Sequence, residues 1–369
     1  MSHAGLTESA RMILDSAIEF AEGSGGPLRA RAMRDKPGQL DRRTWQQILG
    51  LGWPLVAVAE EHGGLALGLD CVAALAEGTS RMLLPEPLLA NVVGAALLSA
   101  CAGNAVNPNG AGPAAHAAHA LLDELMDGAR LAVPVFPVTS GKAPMLLKHV
   151  PDCYDGTTLL VAKDSGKRFC IRAVAIDAAG VMLHSAACVD GSMLSDVEIT
   201  APAWDAATTI AEGPAARAAF ALAHDSLLIG YAAALVGVMD EALQQTIEYM
   251  KVRQQFGTPI GSFQALQHRA ASCHVDIQAA GALVYEACKA ARPDLRARAA
   301  VAAKARASAA GLRVTKECVQ FHGAIGFADE HNIGLYLKKA MALAARLGGE
   351  VQQRARYAQL LVAADANPH

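Results

Sequence analysis

Residues 253–264 read RQQFGTPIGSFQ and interrupt a chain that is rich in Ala and Leu on both sides. Glycine and proline in this stretch predict that one long helix ends here and that another begins a few residues later. A second break, QFHGAIGF at 320–327, has the same character. A simple turn between helices needs no arginine, whereas the planar guanidinium of Arg253 can grip phosphate oxygens at two points.

The two breaks together have the donors that a dinucleotide requires. Glycines let a backbone approach a bulky ligand and expose N–H groups to anions. Gln264 and Gln320 carry amides of the kind that recognise a ribose or a purine edge. Neither break is a P-loop or the strand–GxGxxG–helix of a Rossmann unit. The sequence therefore predicts a dinucleotide site built from helix ends.

Outward from these breaks the chain is helical in its first and last parts and strand-like between them. Short apolar runs such as TTLLVAK at 157–163 and FCIRAVAIDA at 169–178, with the hairpin-like DSGKR between them, predict a small β barrel or sandwich. Near the N-terminus, LTESARMILDSAIEFAE has helical spacing, with Thr7 or Ser9 as the N-cap. A C-terminal four-helix bundle is predicted over 214–252, 262–291, 294–319 and 333–363.

The predicted fold class is thus α+β, with three domains in the order helical, β, helical. Their predicted boundaries are 1–129 for the N-terminal helical domain, 130–212 for the middle β domain and 213–369 for the C-terminal helical bundle. The length of 369 residues agrees with two or three domains.

Composition excludes several classes of function. With 53% hydrophobic residues and a net charge of −3, the chain has no electrostatic footprint for nucleic acid or an anionic membrane. Eight cysteines without a CxxC pair predict reduced thiols, no metal site and a cytoplasmic location. No leader peptide is expected, and the apolar run at 226–239 is shorter than a membrane span.

Two long stretches resemble the acyl-CoA dehydrogenase family. They are YMKVRQQFGTPIGSFQALQHRAA at 249–271 and CVQFHGAIGFADEHNIGLYLKKA at 318–340. The helical–β–helical order is similar to that family, and so is GWPLVAVAEEHGGLALG at 52–68, with Ala59 where the family usually has Pro. The resemblance spans nearly the whole chain and is weakest in the β domain.

The resemblance implies FAD held noncovalently between subunits. By motif position, Arg253 and Phe256 correspond to contacts with the FAD pyrophosphate and ring region, and Gln264 to a contact with its adenosine end. The positions that meet the cofactor from a neighbouring subunit are Gln320, Gly323 and Gly326. Acyl-CoA as substrate and an electron-transfer flavoprotein as electron acceptor are also implied.

The family's reaction needs a carboxylate that removes the α-proton of the thioester while a hydride leaves to the flavin. The usual Glu position falls on Leu347, and the alternative position on the long helix falls on Leu227. The substrate-side Arg of the family falls on Leu228. Leucine cannot accept a proton, so the usual catalytic base is absent.

Other departures and substitutes are visible. The family's Thr-Glu-Pro loop at the flavin ring is replaced by VPVFPVTSGKAP, where Thr139 and Ser140 match it loosely. Glu350 is a weak candidate for a relocated base, and Glu241 lies too far along its helix. The acids that follow the second break are predicted to be structural: Asp329 and Glu330.

Three hypotheses remain from the sequence. The chain resembles the short, base-lacking subunits of heteromeric acyl-CoA dehydrogenases, which complete an FAD site beside a longer catalytic partner. Alternatively it is a self-sufficient homo-oligomer with Glu350 as base. A third hypothesis is a scaffold that has lost FAD and only stabilises a partner.

Overall fold

The structure is a computed structural model that describes residues 6–103, 106, 112–136, 144–166 and 168–365. Its helices are α1 (Glu8–Gly23), α2 (Gly26–Arg34), α3 (Arg42–Gly50), α4 (Leu69–Arg81), α5 (Leu88–Ala102), α6 (Pro113–Met126), α7 (Ala201–Ala206), α8 (Gly213–Val252), α9 (Gln264–Lys289), α10 (Pro293–His322), α11 (Ile333–Ala345) and α12 (Glu350–Asp365). Its strands are β1 (Leu131–Val135), β2 (Met145–Pro151), β3 (Thr157–Asp164), β4 (Phe169–Ala175), β5 (Val181–Ala187), β6 (Met193–Ile199), β7 (Thr208–Glu212), β8 (Gln254–Gln255) and β9 (Thr258–Pro259).

The chain divides into two compact units. The first unit comprises residues 1–34, 69–85 and 228–369, and the second comprises 35–68 and 86–227. The boundaries predicted from the sequence fall between α6 and β1 and between β7 and α8. The three independent domains themselves remain a prediction.

The first unit is helical. Helix α1 begins after Thr7, whose Oγ1 accepts a hydrogen bond from the backbone N–H of Ala10 at 3.2 Å, and this confirms one of the two predicted caps. Helices α8 and α10 approach closely, since a Cβ added to Gly311 would lie 2.8 Å from Leu235 Cδ2. Small residues therefore allow the Ala-rich helices of the bundle to pack tightly.

Helix α8 is 40 residues long and apolar enough to cross a membrane by length and composition, but 78% of its most apolar window is buried inside the protein. The predicted apolar face of this helix is buried, including Tyr231, Leu235, Met239 and Ala242.

The segment 333–363, predicted as one helix, is two helices. Helix α11 ends at Ala345, and α12 begins at Glu350. Leu347 and Gly348 between them have φ of +55° and +94°, a left-handed conformation that no helix can continue through. This turn contains no proline to interrupt the helical pattern of apolar residues, so the periodicity alone did not reveal it.

The strands of the second unit form a two-layer sandwich, which confirms the predicted β region. One sheet has the strand order β1-β3-β4-β7, with β1 parallel to β3, and the other is antiparallel with the order β2-β6-β5. Apolar side chains of both sheets form one core, including Val133, Leu147, Leu159, Val174 and Val197. Pro134 is tolerated in β1 because that strand is at an edge of its sheet.

Several elements were not predicted from the sequence. Helix α6 and strands β2 and β7 are in stretches that lack a clear period, and their burial depends on neighbours distant in the chain. Thr139 and Ser140, the loose match to the family's ring-side loop, lie outside the described residues.

Candidate functional site

The first break is a short hairpin at the end of α8. Strands β8 and β9 pair through Gln255 and Thr258, and the turn between them has φ of +54° at Phe256 and +79° at Gly257. Two successive positive φ values are the requirement of a type I′ turn. Glycine adopts this conformation freely, whereas phenylalanine does so at a cost. Phe256 is nevertheless 93% exposed, and its ring meets the ring of Phe263 at a centroid distance of 6.2 Å, a contact that buries little of it.

A small apolar cluster fixes the hairpin to the end of α10. Met250, Ile260 and Phe321 are its buried members. The backbone N–H of Ile260 donates to the carbonyl of Arg253 at 2.8 Å, which closes the hairpin onto α8. A Cβ at Gly261 would lie 3.0 Å from the Met250 carbonyl oxygen, so this glycine permits the close approach. The two breaks predicted from the sequence are therefore brought together in one chain.

An aromatic stack makes a second connection between the two breaks. The rings of Tyr249 and His322 stack with centroids 4.3 Å apart, and His331 lies 4.7 Å beyond His322. The Tyr249 hydroxyl donates to the backbone carbonyl of His322 at 3.4 Å. Burial lowers the pKa of both histidines, so the stack is held in its neutral form around pH 7.

The polar side chains predicted to bind the cofactor face solvent. Arg253, Gln264 and Gln320 are exposed. Within the described residues none of the three makes a side-chain hydrogen bond or an ion pair, in contrast to Lys251 nearby, which pairs with Glu248 at 2.6 Å. Helix α9 begins at Gln264 without a side-chain cap. Free N–H donors and the positive end of a helix dipole are thus available to an anion.

The two glycines of the second break differ in role. Gly323 ends α10 with φ +65° and is exposed, and a Cβ there would meet no atom within 4 Å. Gly326 is buried, and a Cβ there would lie 2.6 Å from the Val319 carbonyl oxygen. Packing alone explains Gly326, whereas Gly323 leaves its surface open to a ligand.

Leucine side chains occupy the positions where a catalytic base is expected. Leu227 and Leu228 are both buried in α8. Leu347 is half-buried in the turn between α11 and α12. Glu350 is the first residue of α12 and pairs with Arg354 at 3.2 Å.

The turn around Leu347 is held by two buried polar groups. The Nζ of Lys304 donates to the carbonyl of Ala344 at 2.9 Å and to that of Gly348 at 3.2 Å. Gln353 Nε2 donates to the Leu347 carbonyl. Lys304 is fully buried, and burial lowers its pKa to about 7. These hydrogen bonds fix the backbone of the turn, although the side chain of Leu347 has no acid–base chemistry.

Among the other acids, Asp329 and Glu241 have structural partners, whereas the side chain of Glu330 is exposed and forms no ion pair among the described residues. Asp329 pairs with Arg34 at 2.6 Å and with Lys338 at 3.0 Å, and these cations hold its pKa well below the usual range. Glu241 lies 3.4 Å from Arg81. Metal-binding clusters of His, Cys, Asp and Glu do not occur in the part of the chain that the structure describes.

Models of known families match both ends of the chain. The acyl-CoA dehydrogenase C-terminal domain matches residues 225–361, and the N-terminal domain matches residues 7–103. The chain belongs to the acyl-CoA dehydrogenase family. A curated relative, the acyl-CoA dehydrogenase IpdE2 of Mycobacterium tuberculosis, is 29% identical over 90% of this chain and 91% of its own length.

Solved structures of the acyl-CoA dehydrogenase fold resemble this chain along its length. The steroid ACAD Tcur3481–Tcur3483, solved as a variant, matches with a TM-score of 0.83 and 26% identity over 98% of this chain and 100% of that chain. The ChsE4–ChsE5 complex from Mycobacterium tuberculosis matches with a TM-score of 0.82 and 21% identity over 96% and 98%. These similarities confirm the predicted fold class.

FAD is the cofactor of this member of the acyl-CoA dehydrogenase family, and solved FAD complexes share the fold. The exposed donors at the two breaks fit this molecule. A guanidinium without an ion pair suits the diphosphate, unpaired amides suit ribose and adenine, and the exposed ring of Phe256 offers an aromatic contact.

Sequence reasoning missed three structural residues of this region: Tyr249, His322 and Lys304. A lysine within an apolar helix segment, AAVAAKARASAA at 299–310, was the one available signal. The stacked rings had no signal, because their contact joins positions far apart in the sequence.

Proposed function

We propose that this chain is a subunit of an acyl-CoA dehydrogenase that helps to hold FAD at a contact with a second polypeptide, which supplies the catalytic base. Bound FAD would supply the acceptor for the hydride that leaves the acyl-CoA. The observation that carries the proposal is the turn at Leu347, where an ordered backbone presents leucine instead of a carboxylate.

The residues that would hold FAD are those left without partners. Arg253 would bind the diphosphate and Gln264 would donate to the adenosine part, while Gln320 and Gly323 would meet the cofactor from a neighbouring subunit, where Gly323 lets the ligand approach the backbone. Phe256 would place its ring against the cofactor, which gives a reason for its unfavourable φ of +54°.

A second polypeptide is required to enclose such a ligand. Ligand sites bury about 70–90% of the surface of a drug-sized molecule, whereas Arg253, Phe256 and Gln320 all face solvent in this chain. The solved steroid ACAD Tcur3481–Tcur3483 and the ChsE4–ChsE5 complex each carry the names of two polypeptides. Assembly from two different chains is therefore our proposal for this protein as well.

Flavin reduction separates this proposal from a self-sufficient enzyme. The chain expressed alone is mixed with FAD and an acyl-CoA without oxygen, and flavin absorbance is followed. We expect that the chain alone does not reduce the flavin, and that the flavin is reduced rapidly after co-expression with a longer relative that has the catalytic Glu. Reduction by the chain alone, abolished in Glu350→Gln, would establish Glu350 as a relocated base and refute the dependent subunit.

Cofactor affinity tests the role of Arg253. Arg253→Met removes one charge-assisted contact, so we expect FAD to bind the co-expressed complex about tenfold to a hundredfold more weakly. Lys251→Met removes a neighbouring exposed charge and serves as the control. Equal affinity of the two variants, measured by flavin fluorescence, would contradict the assignment, and a complex free of flavin would favour the scaffold hypothesis.

The proposal extends to partners and location. Electrons would leave the reduced flavin to an electron-transfer flavoprotein, as in the family. None of the eight cysteines is in a disulfide, and burial raises the pKa of Cys101 and Cys318 to about 12, so these thiols stay protonated and unreactive. Such thiols suit a reducing compartment, and we place the protein in the cytoplasm.

A further inference from the structure

The rings of Tyr249, His322 and His331 form a three-ring stack where the two breaks meet. Tyr249 is in the last turn of α8, and its carbonyl accepts a hydrogen bond from the backbone N–H of Arg253 at 2.9 Å. His322 is the last residue of α10, two residues after Gln320. The position of the stack therefore sets the position of the backbone from which two of the side chains proposed to bind FAD project.

Two hydrogen bonds determine which ring nitrogens carry protons. His322 Nδ1 lies 2.8 Å from the carbonyl oxygen of Cys318, and a carbonyl oxygen only accepts, so this nitrogen is the donor. The backbone N–H of Ile333 donates to His331 Nδ1 at 3.2 Å, so that nitrogen carries no proton. Because both nitrogens of an imidazolium are protonated, the bond to Ile333 requires a neutral His331.

The bond to His331 satisfies the first N–H group of helix α11. The N-cap residue of this helix, Asn332, makes no capping hydrogen bond with its side chain. Protonation of His331 would set one N–H group against another and leave the N–H of Ile333 without this acceptor. It would also place a positive charge at the positive end of the helix dipole. The first turn of α11 is therefore stable only beside a neutral ring.

The charged group that faces His331 from α2 is a cation. Arg31 donates to the backbone carbonyl of Glu330 and to Asn332 Oδ1, both at 3.1 Å, on either side of His331 in the chain. Burial lowers the pKa of His331, and the charge of Arg31 lowers it further.

The carboxylates of the loop before α11 do not offset this charge. Asp329 is bound by Arg34 from α2 at 2.6 Å and by Lys338 from α11 at 3.0 Å. The side chain of Glu330 is exposed, so water and salt screen its effect on His331.

Neutral groups and His331 surround His322. Tyr249 from α8 stacks on one side of it, and Cys318 from its own helix has a pKa raised to about 12 by burial. Burial lowers the pKa of His322, the hydrogen bond to the Cys318 carbonyl opposes this, and His331 lowers it again. Protonation of one imidazole thus disfavours protonation of the other.

We propose that Tyr249, His322 and His331 are positioning residues that hold both breaks in the FAD-binding conformation while the imidazoles are neutral, and that acidification opens the three-ring stack and weakens FAD binding. The inference rests on the proposed function, since FAD must bind at these breaks.

The direction of the pH effect follows from proton linkage. An open conformation, in which the imidazoles reach water, binds protons more tightly than the closed stack. The closed stack is therefore favoured above the ordinary histidine pKa of 6.5 and loses stability as the pH falls through that value toward the lowered pKa of each ring. Each imidazole changes the ratio of closed to open stacks by at most about tenfold per pH unit.

Cofactor affinity at two pH values tests the proposal. The complex with a longer relative, freed of flavin, is titrated with FAD at about pH 7.5 and about pH 5.5, a range in which histidine titrates. Flavin fluorescence should show about tenfold weaker binding at the acid value. His322→Asn/His331→Asn should bind FAD equally at both values, because an amide donates to Cys318 and accepts from Ile333 without titrating.

Two further variants separate titration from structure. His331→Ala lacks the acceptor for the helix and should bind FAD weakly at both pH values, so rescue by asparagine identifies the hydrogen bond as the cause. His274→Asn, at an exposed residue of α9, should keep the pH dependence of the wild type. Lys304, with a pKa of about 7, bonds near the other end of α11 and is unchanged in every variant.

Hydrogen exchange provides a reading that needs no FAD. In the full-length chain, protection of the Ile333 amide, corrected for the intrinsic exchange rate, should fall about tenfold at the acid value. In His322→Asn/His331→Asn it should stay constant. Melting temperatures confirm that the variants are folded.

The outcomes separate this inference from the proposed function. Equal FAD affinity at both pH values, or the wild-type pH dependence in the double asparagine variant, would overturn the inference and leave the proposed function standing. Constant protection of the Ile333 amide in the wild type would do the same. Absence of FAD binding at both pH values would refute the proposed function and this inference with it.

Discussion

At the scale of single residues, Lys304 is the most unusual side chain of the bundle. It is fully buried and donates to Ser308 Oγ at 2.9 Å as well as to two backbone carbonyls of the neighbouring turn. A buried lysine without a carboxylate is costly when charged. Its pKa of about 7 means that the amine loses its proton far more easily than in the unfolded chain.

This pKa predicts how stability depends on pH. Between pH 7 and 10.5 the unfolded chain binds more protons at Lys304 than the folded chain, so its contribution to the free energy of unfolding rises with pH. Below pH 7 Lys304 is protonated in both the folded and the unfolded chain, so it does not make the free energy of unfolding depend on pH. The slope reaches at most about 1.4 kcal/mol per pH unit.

Lys304→Met should remove that slope, whereas Lys316→Met, a change at an exposed lysine of the same helix, should retain it. Urea denaturation at several pH values from neutral to alkaline measures the difference. Parallel pH profiles for the two variants would show that the amine is not neutralised in the folded protein.

Leu347 permits a second test at the residue scale. Because Lys304 and Gln353 hold the turn from the backbone, a glutamate at this position should keep its conformation. Co-expressed with a partner whose own catalytic Glu is changed to Gln, Leu347→Glu should give flavin reduction by acyl-CoA on the order of 10²–10⁴-fold above Leu347→Gln in the same complex. The glutamine variant has the same shape without a base. Equal rates for the two would indicate that this turn is not at the reacting carbon.

At the scale of elements, the hairpin at 253–264 contains Phe256, the residue proposed to contact FAD, in an unfavourable left-handed conformation. Phe256 occupies the first central position of a type I′ turn, where Asn before Gly is strongly preferred. Phe256→Asn should therefore stabilise the chain by about 1 kcal/mol while it weakens FAD binding.

Phe256→Ala is the control for this hairpin, since it removes the ring but keeps an unfavourable left-handed residue. It should weaken FAD binding to a similar degree without the gain in stability. Thermal unfolding and flavin fluorescence provide the two readings. Tighter FAD binding by Phe256→Asn would show that the ring has no role at the cofactor.

At the scale of the whole molecule, apolar side chains at the two breaks face solvent. Phe256, Ile325 and Phe327 are 93%, 48% and 79% exposed, and Val252 beside them is also exposed. Exposed apolar groups next to unpaired polar donors are typical of a surface that another polypeptide covers.

Phe327→Ser should weaken assembly with the co-expressed partner about tenfold or more, because it removes a large apolar contact. Met12→Ser, at a residue of α1 that is 67% exposed, should leave assembly unchanged. Sedimentation velocity over a range of concentrations measures both. Equal dissociation constants for the two variants would locate the interface elsewhere.

The parts of the candidate site that depend on neighbouring residues in the sequence could be predicted, whereas the parts that depend on contacts between distant residues could not. Arg253, Gln264 and Gln320 could be proposed as cofactor contacts from the sequence because they lie in short motifs beside glycines that end helices. Their common exposure and the cluster of Met250, Ile260 and Phe321 that joins the two breaks depend on contacts across the bundle. The three-ring stack had no motif, since its rings come from α8, the end of α10 and the loop before α11.

The sequence by itself determined the helical–β–helical arrangement, the family and the absence of a carboxylate at positions 227 and 347, because apolar periodicity, turn residues and residue identity are local properties. Only the tertiary structure decided where α11 ends and α12 begins, the parallel pairing of β1 with β3, and the stacking of Tyr249 on His322. Each of these depends on groups distant in the chain, such as Lys304 bonding to carbonyls some 40 residues away, which local propensity cannot encode.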